Sequence, residues 1–127
     1  QKLAGLDSAP VFVPILGDIR QGMMTSVMLQ IKLLSGTPTA QDICEMLSSY
    51  SEGQEMVRVL PFGGETPRLA TSALAGKDYL TITVSGHTDQ TLLTAQFDNL
   101  GKGASGAAVQ NMNIMLGFPE STGLNMD

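Results

Sequence analysis

The sequence predicts an α+β fold, and three patterns in it support that class. Apolar and polar residues alternate along residues 23–33 and 79–85, as they do in half-buried strands. A loop at residues 86–89 and a further extended run at residues 91–97 then complete the pattern of a hairpin. Apolar residues recur at helical spacing after Ala40 and again near the end of the chain. Together these patterns indicate strands packed against helices around one core.

Length and composition indicate a single folded domain. The chain has 127 residues, of which 43% are hydrophobic and 15% charged, so it can form a core and is not expected to be disordered. The net charge is −5 and the basic residues are scattered, which disfavours nucleic-acid binding. No apolar run reaches the roughly 18 residues of a membrane span. The single cysteine excludes an intramolecular disulfide and a zinc quartet, we assign no metal site, and the composition is compatible with the cytoplasm.

The first part of the chain is expected to contain two strands. Residues 11–16 form a compact apolar run that we interpret as a short edge strand, because Pro14 cannot donate to a ladder. Residues 23–33 form the clearest strand, with their odd-numbered positions facing a core. Met24 and Met28 interrupt its polar face. They are either ordinary surface methionines or part of a covered second face at a subunit contact.

A helix is predicted next, with Thr37 as its N-cap and Pro38 in its first position. Its apolar residues follow the i, i+3, i+4, i+7 pattern up to about Tyr50. Cys44 lies on the apolar side of this helix. We interpret it as a small core residue, because acidic neighbours give a thiolate no electropositive setting.

The middle of the chain is expected to hold one more strand before the hairpin. Residues 56–60 are predicted as a short strand closed by a proline, and residues 62–67 as a loop. Residues 68–75 could be strand or helix, with a weak preference for an extended conformation. His87 lies in the hairpin loop, and without a nucleophile and an orienting group beside it we interpret it as a solvated residue.

A glycine-rich segment followed by a helix ends the chain. Residues 101–106 spell G-x-G-x-x-G after an apparent strand, which is one condition for a dinucleotide-binding turn. The other condition, a second strand with an acidic residue after the helix, is not met, so the pattern alone favours a generic junction between loop and helix. Gly117 is expected to end the helix, with Pro119 two residues later.

The full amino-acid sequence of this segment is more specific than its glycine pattern. DNLGKGASGAAVQNMNIMLGFPESTGL resembles the carboxy-terminal segment of the N-acetyl-gamma-glutamyl-phosphate reductase family, with small departures at Gly101 and Ser121. The segments PVFVPILGDIRQGM and MVRVLPFGGETPRLATSALAGKDYLTITV are similar to further parts of that family. In the first of them Gln21 stands where the family usually has an arginine, and Arg20 comes one position early. A substrate contact assigned to that arginine is therefore altered in this chain.

The resemblance implies a fold, an activity and a partner. The fold is a mixed, largely antiparallel sheet backed by helices, as in the carboxy-terminal domain of the reductases that resemble glyceraldehyde-3-phosphate and semialdehyde dehydrogenases. The implied activity is the NADPH-dependent reduction of N-acetyl-glutamyl-5-phosphate to N-acetyl-glutamate 5-semialdehyde in arginine biosynthesis, through a cysteine thioester. Cys44 does not match the family's nucleophile motif, and we identify no catalytic residue in this chain. We therefore expect residues 1–127 to be one domain of a longer reductase, inactive without its Rossmann half.

The resemblance and the residue chemistry together select three candidate site residues. Asn99 and Lys102 are predicted to face the cofactor NADP, because an asparagine amide can recognise a carboxamide and the segment is implied to pack on the cofactor domain. The alternative is that Asn99 caps the strand exit and Lys102 is solvated. Arg20 is the candidate for the substrate. A homo-oligomer is implied as well. A free-standing binding module or a dimerisation module derived from the enzyme remain the alternatives.

Overall fold

A computed structural model describes residues 3, 5, 7–64 and 68–127 of the protein. Four strands form one sheet, and two α-helices lie in the described chain. The strands are β1 (Met23–Gln30), β2 (Val57–Val59), β3 (Leu80–His87) and β4 (Gln90–Phe97); the helices are α1 (Ala40–Tyr50) and α2 (Gly106–Leu116). A 3₁₀ turn (Ile31–Leu33) follows β1, and a π-helical turn (Gly101–Ser105) leads into α2.

The sheet is mixed and largely antiparallel, in the order β1-β4-β3-β2. β4 is antiparallel to both β1 and β3, and only β2 pairs with β3 in parallel. β3 and β4 form the predicted hairpin, with Gln90 opposite His87, so that only Thr88 and Asp89 make the turn. The predicted fold class, an α+β domain with a mixed sheet backed by helices, is therefore confirmed.

The core lies between α1 and one face of the sheet. Its buried members include Cys44, which is 3% exposed, so the prediction that this cysteine is a core residue is confirmed. α1 packs on β2 and β3. Because β1 is the far edge strand, its Val27 stays 49% exposed although it points to the same face as Leu29, which packs against the core. The remaining buried core residues are Ile31, Ala40, Ile43 and Val84.

The cap of α1 differs from the prediction. Thr39, and not Thr37, is the N-cap: its hydroxyl accepts the Asp42 N–H, and the Asp42 carboxylate accepts the Thr39 N–H in return. Thr37 instead has a left-handed conformation with φ of 45°. The proline at position 38 therefore lies before the helix. The reciprocal hydrogen bonds of a capping box decide the start, and they need the aspartate three residues after the cap.

Three other predicted elements are corrected. Residues 11–16 are exposed and form no strand, because no described strand pairs with them. The strand predicted for residues 23–33 ends at Gln30, where β4 has no further residue to pair with, and Ile31 donates instead to the carbonyl of Asp89. Residues 68–75 are neither strand nor helix and contain a series of turns. Of the loop predicted for residues 62–67, the last three residues lie outside the described chain.

The carboxy-terminal segment folds back on the domain. α2 ends at Gly117 in the left-handed conformation, as predicted. The buried Asn113 then donates to the carbonyls of Glu120 and Thr122, both at 2.9 Å, which fixes the turn after the helix. Arg58 of β2 stacks on the Tyr79 ring and holds the tail through the carbonyl of Met126. No helix in the described residues is long and apolar enough to cross a membrane.

Candidate functional site

A buried carboxylate at the end of β4 organises the candidate site. Asp98 follows the last residue of β4 and is 0% exposed. Its Oδ1 accepts the N–H groups of Leu100 and Gly101 at 2.7 and 3.1 Å, so it caps the turn that follows. Its Oδ2 accepts the N–H of Gly76 and the side-chain amide of Gln21. Three separate segments of the chain therefore meet on one carboxylate.

These hydrogen bonds keep Asp98 ionised. Burial by itself favours the neutral acid and raises the pKa of a carboxyl group. The four N–H donors favour the charged form more strongly, and they lower the pKa of Asp98 from its ordinary value of 3.8 to about 2. All four donors are neutral, so in the part of the chain that the structure describes it is backbone and side-chain amide dipoles that balance the charge.

Asn99, the residue predicted to contact the cofactor, is held by the segment before β1, which also carries Gln21. Its Oδ1 accepts the N–H of Gly22 at 2.8 Å. A backbone N–H can only donate, so this contact decides which way the amide is turned. Among the described residues, Nδ2 has no hydrogen-bond partner, and the side chain is half-buried. Asn99 therefore presents an oriented N–H donor at the end of β4.

The glycine-rich segment is filled by the protein's own atoms. A Cβ on Gly101 would lie 2.7 Å from the Lys77 carbonyl oxygen, and one on Gly106 would lie 2.2 Å from Oδ1 of Asp78. A Cβ on Gly103 would lie 3.3 Å from the Phe97 ring. These glycines allow close packing against the chain itself, so this segment is not an open phosphate cradle. The interpretation of residues 101–106 as a junction between loop and helix agrees with this geometry.

The π-helical turn explains how such close contacts arise. The N–H groups of Gly103, Ser105 and Gly106 each reach the carbonyl five residues earlier, which widens the turn. The carboxylate of Asp78 packs against it and accepts the N–H of Asn125 at 2.9 Å. A negative charge is favourable beside the first turns of a helix. The carboxy-terminal tail, the turn before β3 and the start of α2 are thus joined at Asp78.

The other residues singled out from the sequence differ in how close they lie to Asp98 and Asn99. Lys102 donates from Nζ to Oε1 of Gln110, and Gln110 donates to Glu120 at 2.8 Å. The lysine therefore belongs to a series of side-chain hydrogen bonds along α2. Arg20 is exposed and directly precedes Gln21, which contacts Asp98. His87 is exposed, as predicted, but it is the last residue of β3 and pairs with Gln90 instead of lying in the hairpin loop. Among the described residues no group of three His, Cys, Asp or Glu side chains could hold a metal ion.

Sequence reasoning missed Asp98 and Asp78 as members of the site. Asp98 and Asn99 form a pair at a strand end, and the resemblance points to the asparagine alone as a ligand contact. The available signal was an aspartate directly before two backbone N–H groups that need acceptors at a helix start. No comparable signal marked Asp78, because its partners lie in the tail and in the glycine-rich segment.

Two apolar surfaces remain uncovered in the described structure. The first is the open sheet face, formed by alternate side chains on the side of the sheet away from α1. There Met28, which is 79% exposed, lies opposite Leu92 in the register. The second is on α2 and its end, where Met115 is 85% and Phe118 is 56% exposed. Surfaces of this kind mark contacts with other protein. The other β1 and β4 residues on this side of the sheet are Met24, Ser26, Thr94 and Gln96. Thr94 and Gln96 are buried, and Gln96 donates to the Ala70 carbonyl, so the exposed part of this face lies along β1.

The four-stranded mixed sheet with α1 on one face is an α+β architecture, consistent with a dimerisation domain of the semialdehyde dehydrogenase class. The family model described as semialdehyde dehydrogenase, dimerisation domain, matches residues 1–99, and the chain belongs to this family. It is 41% identical, across 95% of its length, to N-acetyl-gamma-glutamyl-phosphate reductase 2 of a Nostoc species. It is also 45% identical, across 88% of its length, to N-acetyl-gamma-glutamyl-phosphate reductase of Brucella ovis. The chain spans 40% and 37% of the lengths of these two proteins.

Proposed function

We propose that this chain is the carboxy-terminal part of an NADPH-dependent reductase that converts N-acetyl-glutamyl-5-phosphate to N-acetyl-glutamate 5-semialdehyde in the cytoplasm, as a step of arginine biosynthesis. The observation that carries the proposal is the similarity to reductases of that name along nearly the whole chain. NADPH supplies the hydride in such a reaction. The attacking cysteine and the cofactor fold belong to the remainder of the polypeptide.

Asn99 is the residue of this chain best suited to the cofactor. Its Oδ1 is held by Gly22, which leaves Nδ2 as the donor for a carbonyl oxygen of the ligand. The nicotinamide carboxamide supplies such an oxygen. A donor that is already oriented loses little conformational freedom when it binds, so the hydrogen bond retains more of its free energy. Because the glycine-rich segment is filled by the protein's own atoms, it has no room for the pyrophosphate. We assign binding of the phosphates to the cofactor-binding half of the polypeptide.

Lys102 and Arg20 have supporting roles in the proposal. Lys102 is two turns before its acceptor Gln110 and adds positive charge near the start of α2. We assign it to the cofactor side, where its charge would favour an anionic ligand. Arg20 is exposed and carries the charge that an acyl phosphate or a carboxylate of the substrate requires. Each would act by electrostatic attraction, and neither takes part in proton transfer.

The uncovered apolar surfaces suit two different contacts. The exposed side chains of α2 and of residues 11–16 are assigned to the cofactor-binding half of the same polypeptide. The open sheet face is assigned to a second copy of the chain, in accordance with the family description. Burying either surface would stabilise the contact by about 25 cal/mol for each Å² of apolar area removed from water.

Replacing Asn99 with alanine in the complete reductase is expected to raise KM for NADPH, or lower kcat, by roughly tenfold, because one oriented hydrogen bond is lost. The fold should remain, since a half-buried side chain at a strand end contributes little to the core. The measurement is steady-state kinetics with NADPH varied, together with circular dichroism. Gln54→Ala, which removes an exposed amide elsewhere, is the control. Wild-type kinetics for Asn99→Ala would show that the asparagine has only a structural role.

Replacing Met28 with lysine is expected to convert a homo-oligomer into monomers. The change places a charge on the exposed edge strand of the open sheet face, where burial in an apolar contact would be costly. Light scattering at about 100 μM, well above a micromolar dissociation constant, measures the assembly. Met46→Lys is the matched control, since Met46 is 59% exposed on α1. A monomeric wild-type chain, or an unchanged assembly of the Met28 variant, would contradict the assignment.

A further inference from the structure

Two neighbouring contacts join the segment before β1 to the segment after β4. The side chain of Gln21 donates to the carboxylate of Asp98, and the next residue along each segment forms the second contact, from the Gly22 N–H to Oδ1 of Asn99. The two contacts connect positions that are each 77 residues apart in sequence. Consecutive residues on both sides share one backbone, so a displacement of the first contact also displaces the second.

Gly22 is closely confined in this arrangement. It has φ of 121°, and a Cβ there would lie 2.4 Å from the Thr71 carbonyl oxygen. The segment before β1 therefore passes directly against the turns at Thr71 and Ser72, which limits sideways movement. Met23, the next residue, pairs with Phe97 in the β1–β4 ladder; before that pair, the hydrogen bonds to residues 98 and 99 hold the segment to the end of β4. Gln21 supplies one of these two bonds.

The electrostatics of Asp98 make the contribution of Gln21 large. The carboxylate is fully buried, and among the described residues its hydrogen-bond donors are neutral N–H groups. When a buried charge loses one of its hydrogen bonds, the remaining groups must shift to compensate. The N–H groups of Leu100 and Gly101 are fixed in the π-helical turn, and the turn at Gly76 is held by Asn125. The segment that carries Gln21 and Gly22 lies before the first β1–β4 pair, so we expect it to be the side that shifts.

We propose that Gln21 and Asp98 are positioning residues that hold the Asn99 amide with Oδ1 on Gly22 and Nδ2 left to donate. Residue 21 then acts on the buried carboxylate and not on the substrate. An arginine at this position would also direct its N–H donors at Asp98 and would form a charged pair with it. This inference depends on the proposed cofactor role of Asn99 for its kinetic consequence, but its structural part stands independently of that role.

Hydrogen exchange tests the structural part in the complete polypeptide. Gln21→Leu keeps the size of the side chain and removes the donor. We expect backbone amides in residues 20–24 and 98–106 to exchange about tenfold faster, while residues 40–50 of α1 are unchanged. Gln21→Arg keeps an N–H donor at this position, so the same amides should exchange as slowly as they do in the wild type. Gln41→Leu, which removes a 2.8 Å amide contact to the exposed Glu45, is the matched control. Unchanged exchange in Gln21→Leu would overturn the proposal.

Kinetics test whether Gln21 acts through Asn99. We expect Gln21→Leu to raise KM for NADPH by about tenfold and to leave KM for the acyl phosphate unchanged. In an Asn99→Ala background the same change should have little further effect, because interacting residues are not additive. A raised KM for the acyl phosphate that persists in that background would mean that Gln21 contacts substrate, and would overturn the proposal. If Asn99→Ala alone has wild-type kinetics, the cofactor assignment fails, and the exchange measurement still decides the positioning role.

Discussion

Replacing Asp98 with asparagine is expected to lower the free energy of unfolding by roughly 3–5 kcal/mol, the largest effect of any single substitution considered for this chain. The new amide has nearly the shape of the carboxylate but has one oxygen instead of two. Its NH₂ group would face donors on one side, either Gly76 with Gln21 or Leu100 with Gly101. Buried donors left without an acceptor keep their full desolvation cost. Urea denaturation of the 127-residue chain measures the difference.

Asp42→Asn is the matched control for this substitution. Asp42 also accepts hydrogen bonds, but it is exposed and caps only α1. Loss of a cap typically costs about 1 kcal/mol, so the control should have a clearly smaller effect. Equal losses in the two variants would mean that the hydrogen bonds of Asp98 stabilise the domain no more than an ordinary cap does.

The contribution of Asp98 to the free energy of unfolding should be lost at low pH. Its pKa is 3.8 when unperturbed and about 2 in the folded protein, so the unfolded state binds the proton first as the pH falls. The stabilisation is complete well above pH 4 and is lost as the pH falls through the folded pKa; a shift of this size corresponds to about 2 kcal/mol. The stability difference between wild type and Asp98→Asn should therefore narrow by about that amount between neutral pH and about pH 2. A difference independent of pH would contradict the ionised state.

Replacing Gly106 with alanine is expected to destabilise the domain by about 2–3 kcal/mol, although the position lies in a helix. Helix propensity alone would predict a gain of about 1 kcal/mol from this change. The new methyl group would lie 2.2 Å from Oδ1 of Asp78 and 2.9 Å from the backbone carbon of Gly101. The carboxylate cannot simply turn away, because Asn125 holds it. Thermal or urea unfolding therefore distinguishes the two expectations by the sign of the change.

Two further variants test the cause of this effect. Gly17→Ala is the control, since a Cβ there would have its nearest contact at 3.9 Å and the position is exposed, so its stability should change by less than about 0.5 kcal/mol. In an Asp78→Ala background the penalty for Gly106→Ala should shrink, because the nearest atom is gone. A stabilised Gly106 variant would mean that the close approach of Asp78 does not constrain the helix start.

Patterns of a few residues were sufficient for most of the secondary structure. Alternation placed Leu80 and Val84 on the core side of β3, and helical spacing gave α1 with its buried Cys44. Gly117 ended α2 because only a residue that tolerates the left-handed conformation can close a helix in this way. In each case the deciding interaction lies within a few residues along the chain, so the sequence contains it directly.

Prediction was less accurate where the deciding partner is distant. Residues 11–16 have the composition of a strand, but a strand exists only when another one pairs with it, and no described strand does. Residues 23–33 were predicted too long because the end of β1 depends on where β4 begins. Residues 68–75 gave no clear periodicity, and the structure shows turns there.

The sequence by itself determined the fold class, the family resemblance and the identity of Asn99 as a candidate. Only the tertiary structure decided what surrounds that asparagine. The buried carboxylate of Asp98 draws its donors from positions 21, 76, 100 and 101, and the glycines of the segment after it are explained by Asp78 and Phe97 rather than by a phosphate. Hydrogen bonds and close contacts between distant segments leave no periodic trace in a sequence, because they depend on which segments the fold brings together.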